Sequence, residues 1–159
     1  MFKIKLIAIG NLKESYWRDA LAEYKKRLGA FAEVTVTELK EERVPESPSP
    51  AEIEAALERE ANAVLAAIPP RAFVAALCVE GKQLSSEELA TTLSRVMQER
   101  GELALIIGSS HGLSPRVKAA ANLKLSISRL TFPHQMMRPI LLETVYRSLS
   151  ILHGSKYHK

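Results

Sequence analysis

The sequence contains one cysteine, no long apolar run and no phosphate-binding glycine motif, and each absence narrows the possible functions. Cys78 has no partner for an internal disulfide, so nothing indicates an oxidising compartment. No stretch approaches the roughly 18 consecutive apolar residues of a membrane span. Lys3 and Lys5 interrupt the apolar start, which is therefore not typical of a signal peptide. We expect a soluble, cytoplasmic protein.

The signatures of nucleotide and metal binding are also missing. Neither G-x-G-x-x-G nor a GK[ST] loop occurs, so a dinucleotide or P-loop site is poorly supported. His111 and His153 do not show metal-ligand spacing, and we expect no metal site. The 22 Lys and Arg against 18 Asp and Glu give a net charge of +4, which permits an RNA partner without requiring one. A non-catalytic RNA-binding module remains an alternative, although this basicity is weak and no aromatic-rich RNA-binding strand is present.

What is present is the alternation of strands and helices in a chain of 159 residues, long enough for a single domain over 1–159. Five segments have the apolar pattern of strands: 2–10, 33–39, 72–79, 102–108 and 123–128. Helical patterns separate them, and a long apolar helix follows from about 136 to 152. This order predicts an α/β protein with a mostly parallel, five- to six-stranded sheet and helices on both faces.

Ligands of parallel sheets bind beyond the carboxyl ends of the strands, so the turns that follow strands are candidate sites. The turn after the fourth strand, residues 108–112, reads GSSHG and matches the G-x-S-x-G motif. One interpretation is a small serine hydrolase with Ser110 as the nucleophile. Glu143 would then be the acid, and His153 or His158 the base, although no HGGG-type segment is present. A phosphate-binding loop and a purely structural turn are the other interpretations.

Three segments of the last third are more specific: IIGSSHGLSP, LTFPHQMMR and LLETVYRSLSILHGSKYHK. With the IKLIAIG start and the VEGK turn, they closely resemble the SPOUT-class RlmH family, which methylates N3 of a pseudouridine in 23S ribosomal RNA. The resemblance covers essentially the whole chain. It implies a methyltransferase with S-adenosyl-L-methionine as cofactor, a C-terminal trefoil knot, a homodimer, and the ribosomal large subunit as partner. Ser109 departs from the family, which commonly has a second glycine there.

The resemblance also implies which residues bind the cofactor. They lie at the end of the third strand and at the turns of the fourth and fifth strands, and comprise Leu77, Gly108, Ser109, Ser128, Arg129, Leu130, Thr131, Phe132 and Pro133. These turns combine apolar side chains with backbone donors and acceptors, which suit a flat, uncharged adenosyl group. The cofactor carries no phosphate, so the missing phosphate motif is expected.

Methyl transfer to N3 requires an in-line arrangement and removal of the imide proton. Histidine exchanges protons near neutral pH, and His134 and His158 are the candidate bases. The resemblance implies that Tyr157 and His158 lie at the active site and complete it with the partner subunit. The tail can fold back over the cofactor, where Tyr157 would stack on the target base and His158 would take the imide proton or orient the ring. Arg147 is a further catalytic candidate. Basic residues expected to contact RNA phosphates are Arg138, Lys156 and Lys159, together with Arg147.

Overall fold

The computed structural model describes all 159 residues and contains one five-stranded sheet with helices on both faces. The strands are β1 (Phe2–Ile9), β2 (Ala32–Leu39), β3 (Phe73–Gln83), β4 (Glu102–Ile107) and β5 (Leu123–Ser126). They pair in the order β2-β1-β4-β3-β5, and every pair is parallel. The helices are α1 (Ser15–Leu28), α2 (Pro50–Ala67), α3 (Ser86–Glu99), α4 (Pro115–Ala120) and α5 (His134–Leu152). The predicted fold class is confirmed.

Two apolar layers hold the helices against the sheet, because the central strands are apolar on both faces. In β1, Ile4 and Leu6 pack into the layer formed with α1, α3 and α5. Ile7 and Ile9 point the other way and pack with α2 and α4. This division follows from the two-residue period of a strand. The sheet is thereby covered on both faces, and its carboxyl edge is left as the place for a ligand.

Serine side chains cap the N-termini of three of the helices. Ser49 and Ser85 each form a capping box with the glutamate three residues later, and Pro50 follows Ser49 at the first helical position. Ser114 accepts a hydrogen bond from the backbone N–H of Val117 at 3.2 Å, which fixes the short helix α4. The turns that lead into these helices are therefore set by local sequence.

Strand β3 continues beyond its predicted end because it contains an irregularity. Leu77 and Lys82 both pair with Leu125, so the residues between them leave the ladder. We call these residues, 78–81, the β3 bulge. The chain can return to the sheet because Gly81 has no side chain: a Cβ there would lie 2.6 Å from the carbonyl oxygen of Lys124.

Candidate active site

A cleft of about 470 Å³ opens at the carboxyl edge of the sheet, beyond the ends of β3, β4 and β5. This volume lies within the usual range for small-molecule sites. Its walls are the β3 bulge, the turn after β4 and the loop from residue 127 to residue 133, and the first turn of α5 completes it. The strand-end turns chosen from the sequence thus meet in one place.

The cleft gathers most of the residues predicted to bind the cofactor. Those that line it are Leu77, Gly108, Ser109, Ser128, Leu130, Thr131, Phe132 and Pro133. Arg129 is the exception, because its side chain is exposed and does not line the cleft. Leu130 is 70% exposed and Phe132 37% exposed, so two large apolar side chains face solvent in the cleft wall. A flat apolar ligand would cover such surface favourably.

The turn after β4 folds back on itself through Gly108, Ser109 and Gly112. A Cβ on Gly108 would overlap the backbone carbonyl of Gly112, so only glycine allows this approach. Gly112 has a φ of +86°, a conformation that favours glycine. Ser109 accepts a hydrogen bond from the N–H of Gly112 at its carbonyl (2.9 Å) and one from the N–H of His111 at its hydroxyl (3.3 Å). The serine therefore closes the turn.

The loop after β5 is shaped by its own serines and leaves backbone donors free. Ser126 donates from its hydroxyl to the carbonyl of Ser128 at 3.1 Å, and the hydroxyl of Ser128 accepts from the N–H of Leu130 at 3.0 Å. The backbone N–H groups of Thr131 and Phe132 make no hydrogen bond within the chain. Backbone donors beside apolar side chains are the combination that fixes a planar heterocycle.

The residues predicted to be catalytic lie in two separate places. His134 lines the cleft at the start of α5. Arg147 lies thirteen positions further along the same helix, about 20 Å away at a rise of 1.5 Å per residue. Tyr157 and His158 pack beside Arg147. Within one chain, the structure therefore brings His134 to the cleft and does not bring the other three there.

The last residues of the chain are held on α5 by Glu143 and Arg147. The hydroxyl of Tyr157 donates to Glu143 Oε2 at 2.8 Å, and Arg147 donates to Glu143 Oε1 through Nε at 2.9 Å and Nη2 at 2.7 Å. The guanidinium also lies over the Tyr157 ring, 4.6 Å from its centroid. Tyr146 meets the same ring edge-on at 4.8 Å. We call Glu143, Arg147, Tyr157 and His158 the tail cluster.

His158 is engaged through both ring nitrogens. Its Nε2 lies 2.8 Å from Glu87 Oε1, and its Nδ1 lies 3.4 Å from Arg147 Nη1. Because a guanidinium only donates, Nδ1 accepts from Arg147, and this pairing suits the tautomer with its proton on Nε2. The pKa of Glu87 is lowered, first by its own backbone N–H and then by His158. In this arrangement, the His158 ring lies between Glu87 and Arg147 and not in the cleft.

Comparison with known families gives the class of the protein. The model of a family described as predicted SPOUT methyltransferase matches residues 2–158. The chain belongs to this family. SPOUT methyltransferases use S-adenosylmethionine, so the protein is an S-adenosylmethionine-dependent methyltransferase. The enzyme class and cofactor inferred from the sequence are thereby confirmed.

The cleft of this SPOUT methyltransferase fits its cofactor. It combines exposed apolar side chains, free backbone donors and a glycine turn too tight for a Cβ.

No group of three or more His, Cys, Asp or Glu side chains is placed to hold a metal ion. No helix combines the length and the apolar character needed to cross a membrane.

One predicted RNA contact of the SPOUT protein is wrong. Arg138 is 0% exposed, so its guanidinium cannot reach an RNA phosphate. It donates to Glu38 Oε2 at 2.8 Å and to the carbonyls of Ile9 and Gly10, each at 2.9 Å. Burial lowers the pKa of Arg138, while Glu38 opposes that shift. Arg138 ties the first turns of α5 to the carboxyl ends of β1 and β2.

The other two predicted RNA contacts, Lys156 and Lys159, are exposed, as an RNA contact requires.

The residues of the serine hydrolase alternative are not close enough together in this SPOUT fold to form a catalytic triad. Ser110 lies in the cleft, but Glu143 is bound to Arg147 and Tyr157 on α5. His153 stands at the far end of that helix, where its ring stacks on Phe31 at 4.5 Å. The candidate acid and base therefore do not reach the candidate nucleophile, and no triad is formed.

Sequence reasoning missed the acidic and the basic residue of the SPOUT cleft, Glu80 and Lys118. Both line it, and Lys118 Nζ lies 2.6 Å from Glu80 Oε1. Glu80 belongs to the VEGK turn, so the rule that residues after strands form sites could have identified it. Lys118 carries no comparable signal, because it comes near the cleft only through the packing of α4.

Proposed function

We propose that this SPOUT methyltransferase transfers a methyl group to N3 of a pseudouridine in 23S ribosomal RNA. It would act in the cytoplasm on the assembled large subunit, as a homodimer of single-domain chains with a C-terminal trefoil knot. The RlmH-like segments support the choice of substrate. The observation that carries the catalytic part is the meeting of the three strand-end turns and His134 in one cleft.

In this proposal, the cleft holds the methyl donor by its adenosyl group. The side chains of Leu77, Leu130 and Phe132 cover the adenine and ribose, and the backbone N–H groups of Thr131 and Phe132 donate to it. Bound S-adenosylmethionine supplies an electrophilic methyl group on a sulfonium. The turn at Gly108 and the loop at residues 127–133 would hold the donor and restrict its orientation toward the target nitrogen.

His134 is the proposed base, because it is the one predicted catalytic residue in the cleft of its own chain. It accepts the proton of the N3 imide, which leaves a lone pair on N3. S-adenosylmethionine held in the cleft would supply the methyl group to this lone pair, with S-adenosylhomocysteine as the leaving product. General base catalysis of this kind contributes about 100- to 10,000-fold to the rate.

The tail cluster would serve the cleft of the second subunit of the homodimer. The tail cluster lies about 20 Å along α5 from His134. This position supports the arrangement, since within one chain the tail cluster does not reach the cleft. Tyr157 would stack on the target base, and His158, released from Arg147 and Glu87, would orient the ring. The exposed Lys156 and Lys159 would bind RNA phosphates beside it.

Two measurements test the proposed function. Calorimetric titration with S-adenosylmethionine should show saturable binding, whereas a non-catalytic RNA-binding module should show none. Purified protein should then methylate large subunits from a strain that lacks it, and mass spectrometry of the 23S RNA should locate one new methyl group on a pseudouridine. Subunits that carry uridine at that position form the second arm of the assay. No methylation of either substrate would contradict the proposal.

His134→Ala is the matched variant for the catalytic step. It should bind S-adenosylmethionine within about threefold of the unmodified protein but transfer the methyl group about 100-fold or more slowly. The side chain of His111, in the same cleft, has no proposed role, so His111→Ala is the control. An unchanged transfer rate in His134→Ala would remove this residue from the mechanism.

A further inference from the structure

The cleft contains one pair of oppositely charged side chains and otherwise none that carry a formal charge. Among the residues that line it, Glu80 and Lys118 are the only acidic and basic side chains apart from two histidines. They are bonded to each other, with 2.6 Å between Lys118 Nζ and Glu80 Oε1. The cleft therefore offers one negative and one positive group side by side.

Both charged residues stand on parts of the fold that are held in place by packing. Glu80 stands on the β3 bulge, whose return to the sheet depends on the absence of a side chain at Gly81. Lys118 stands on α4, which is anchored by the buried side chain of Val117. Arg116 of the same helix pairs with Glu58 on α2, at 3.3 Å, so α4 is held from the other side.

The pair remains open to a ligand. The side chain of Glu80 is 59% exposed and that of Lys118 is 31% exposed, so neither is enclosed by protein. The Lys118 ammonium lowers the pKa of Glu80, which keeps that carboxyl ionised. Such exposed pairs contribute little to stability, because water competes for both charges. Exchanging the contact for one with a ligand therefore costs little.

We propose that Glu80 and Lys118 bind the amino-acid end of the methyl donor, with Glu80 accepting from the α-ammonium and Lys118 donating to the α-carboxylate. This inference rests on the proposed placement of S-adenosylmethionine in the cleft. The donor is a zwitterion at one end and an uncharged adenosyl group at the other. The cleft has the same division, with two opposite charges at the β3 bulge and α4, and apolar walls with backbone donors at the loop after β5.

Two ligands distinguish this role, because S-adenosylhomocysteine and 5′-methylthioadenosine share the adenosyl thioether and differ only in the amino-acid end. Both should bind the unmodified protein in calorimetric titration, the former more tightly. Glu80→Gln and Lys118→Met should each weaken the binding of S-adenosylhomocysteine about tenfold, which corresponds to about 1.4 kcal/mol of binding free energy. Binding of 5′-methylthioadenosine should change by less than about twofold.

The control is Glu58→Gln, which removes the negative charge of the similarly exposed Glu58–Arg116 pair on the other side of α4. It should leave both affinities unchanged and so exclude a general loosening of α4. If Glu80→Gln weakened the binding of both ligands equally, the proposal would be overturned. The pair would then contact the ribose or support the shape of the bulge. Unchanged affinities in both cleft variants would overturn it as well. An unmodified protein that binds neither ligand would instead overturn the placement of the donor.

Discussion

Gly108 and Gly112 are both required in the turn after β4, but for different physical reasons. Gly108 has an ordinary backbone conformation, and what it needs is space: a Cβ would overlap the carbonyl of Gly112 and lie 3.0 Å from Leu113 Cδ2. Gly112 has open space around it and a φ of +86°. A methyl group at Gly108 must therefore displace the turn, whereas one at Gly112 only strains it.

The two alanine substitutions should consequently affect the cofactor differently. Gly108→Ala pushes the turn out of its closed form. We expect it to weaken the binding of S-adenosylmethionine at least about tenfold, or by about 1.4 kcal/mol. Gly112→Ala should cost about 1 kcal/mol of stability through its backbone conformation and change the cofactor affinity by less than about threefold. Calorimetry and urea unfolding measure the two quantities. An unchanged cofactor affinity in Gly108→Ala would show that the turn does not shape the site.

Arg138 shows why a residue's role is harder to predict than its element. Its helix is evident from the apolar pattern, yet its partner Glu38 lies 100 positions earlier in the chain. Nothing local distinguishes a buried arginine that bonds strand-end carbonyls from an exposed one that meets a phosphate. The Glu143–Arg147 pair, by contrast, was predictable, because residues four apart on a helix face each other.

At the scale of the elements, Tyr24 of α1 lies close to the tail cluster on α5. Burial raises the pKa of Tyr24 on α1 to about 12, and the nearby carboxylate of Glu143 and the Tyr157 hydroxyl add to the shift. The folded state thus holds this proton more tightly than the unfolded state does. The resulting stability is fully present below about pH 10 and is lost as the pH rises through about 12.

An alkaline titration tests this coupling. The folded protein should show one tyrosine ionisation near pH 12, followed by ultraviolet absorbance, and Tyr24→Phe should lack it. Glu143→Gln should move that ionisation to lower pH, because it removes a negative charge beside the phenol. Between about pH 10 and 12, the unmodified protein should lose stability relative to Tyr24→Phe. A late ionisation that persists in Tyr24→Phe would contradict the assignment.

Local patterns were sufficient to predict all five strands and the helices between them. Capping boxes, Ser-Pro pairs and apolar runs are signals within a few residues, and the structure follows them. The β3 bulge was not predictable in this way, since it exists only relative to Leu125 on β5. The Glu80–Lys118 pair depends on that bulge, so it could be found only once the strands were paired.

At the scale of the whole molecule, the predicted catalytic residues are divided between the two ends of α5. The cleft holds His134, and the tail cluster holds Tyr157 and His158 in contacts with Glu143, Arg147 and Glu87. Two copies of the chain could join these parts if the tail of each reached the cleft of the other. Twofold symmetry would then create two identical composite sites.

Mixing two inactive variants tests this arrangement. His134→Ala damages only the cleft, and the double variant Tyr157→Ala with His158→Ala damages only the tail. If the sites are composite, each mixed dimer contains one site with an intact cleft from one chain and an intact tail from the other. Co-expressed, differently tagged chains purified as mixed dimers should then recover about half of the methyl transfer of the unmodified dimer. If the tail acts within its own chain, every chain of the mixture has one damaged part, and activity should not return.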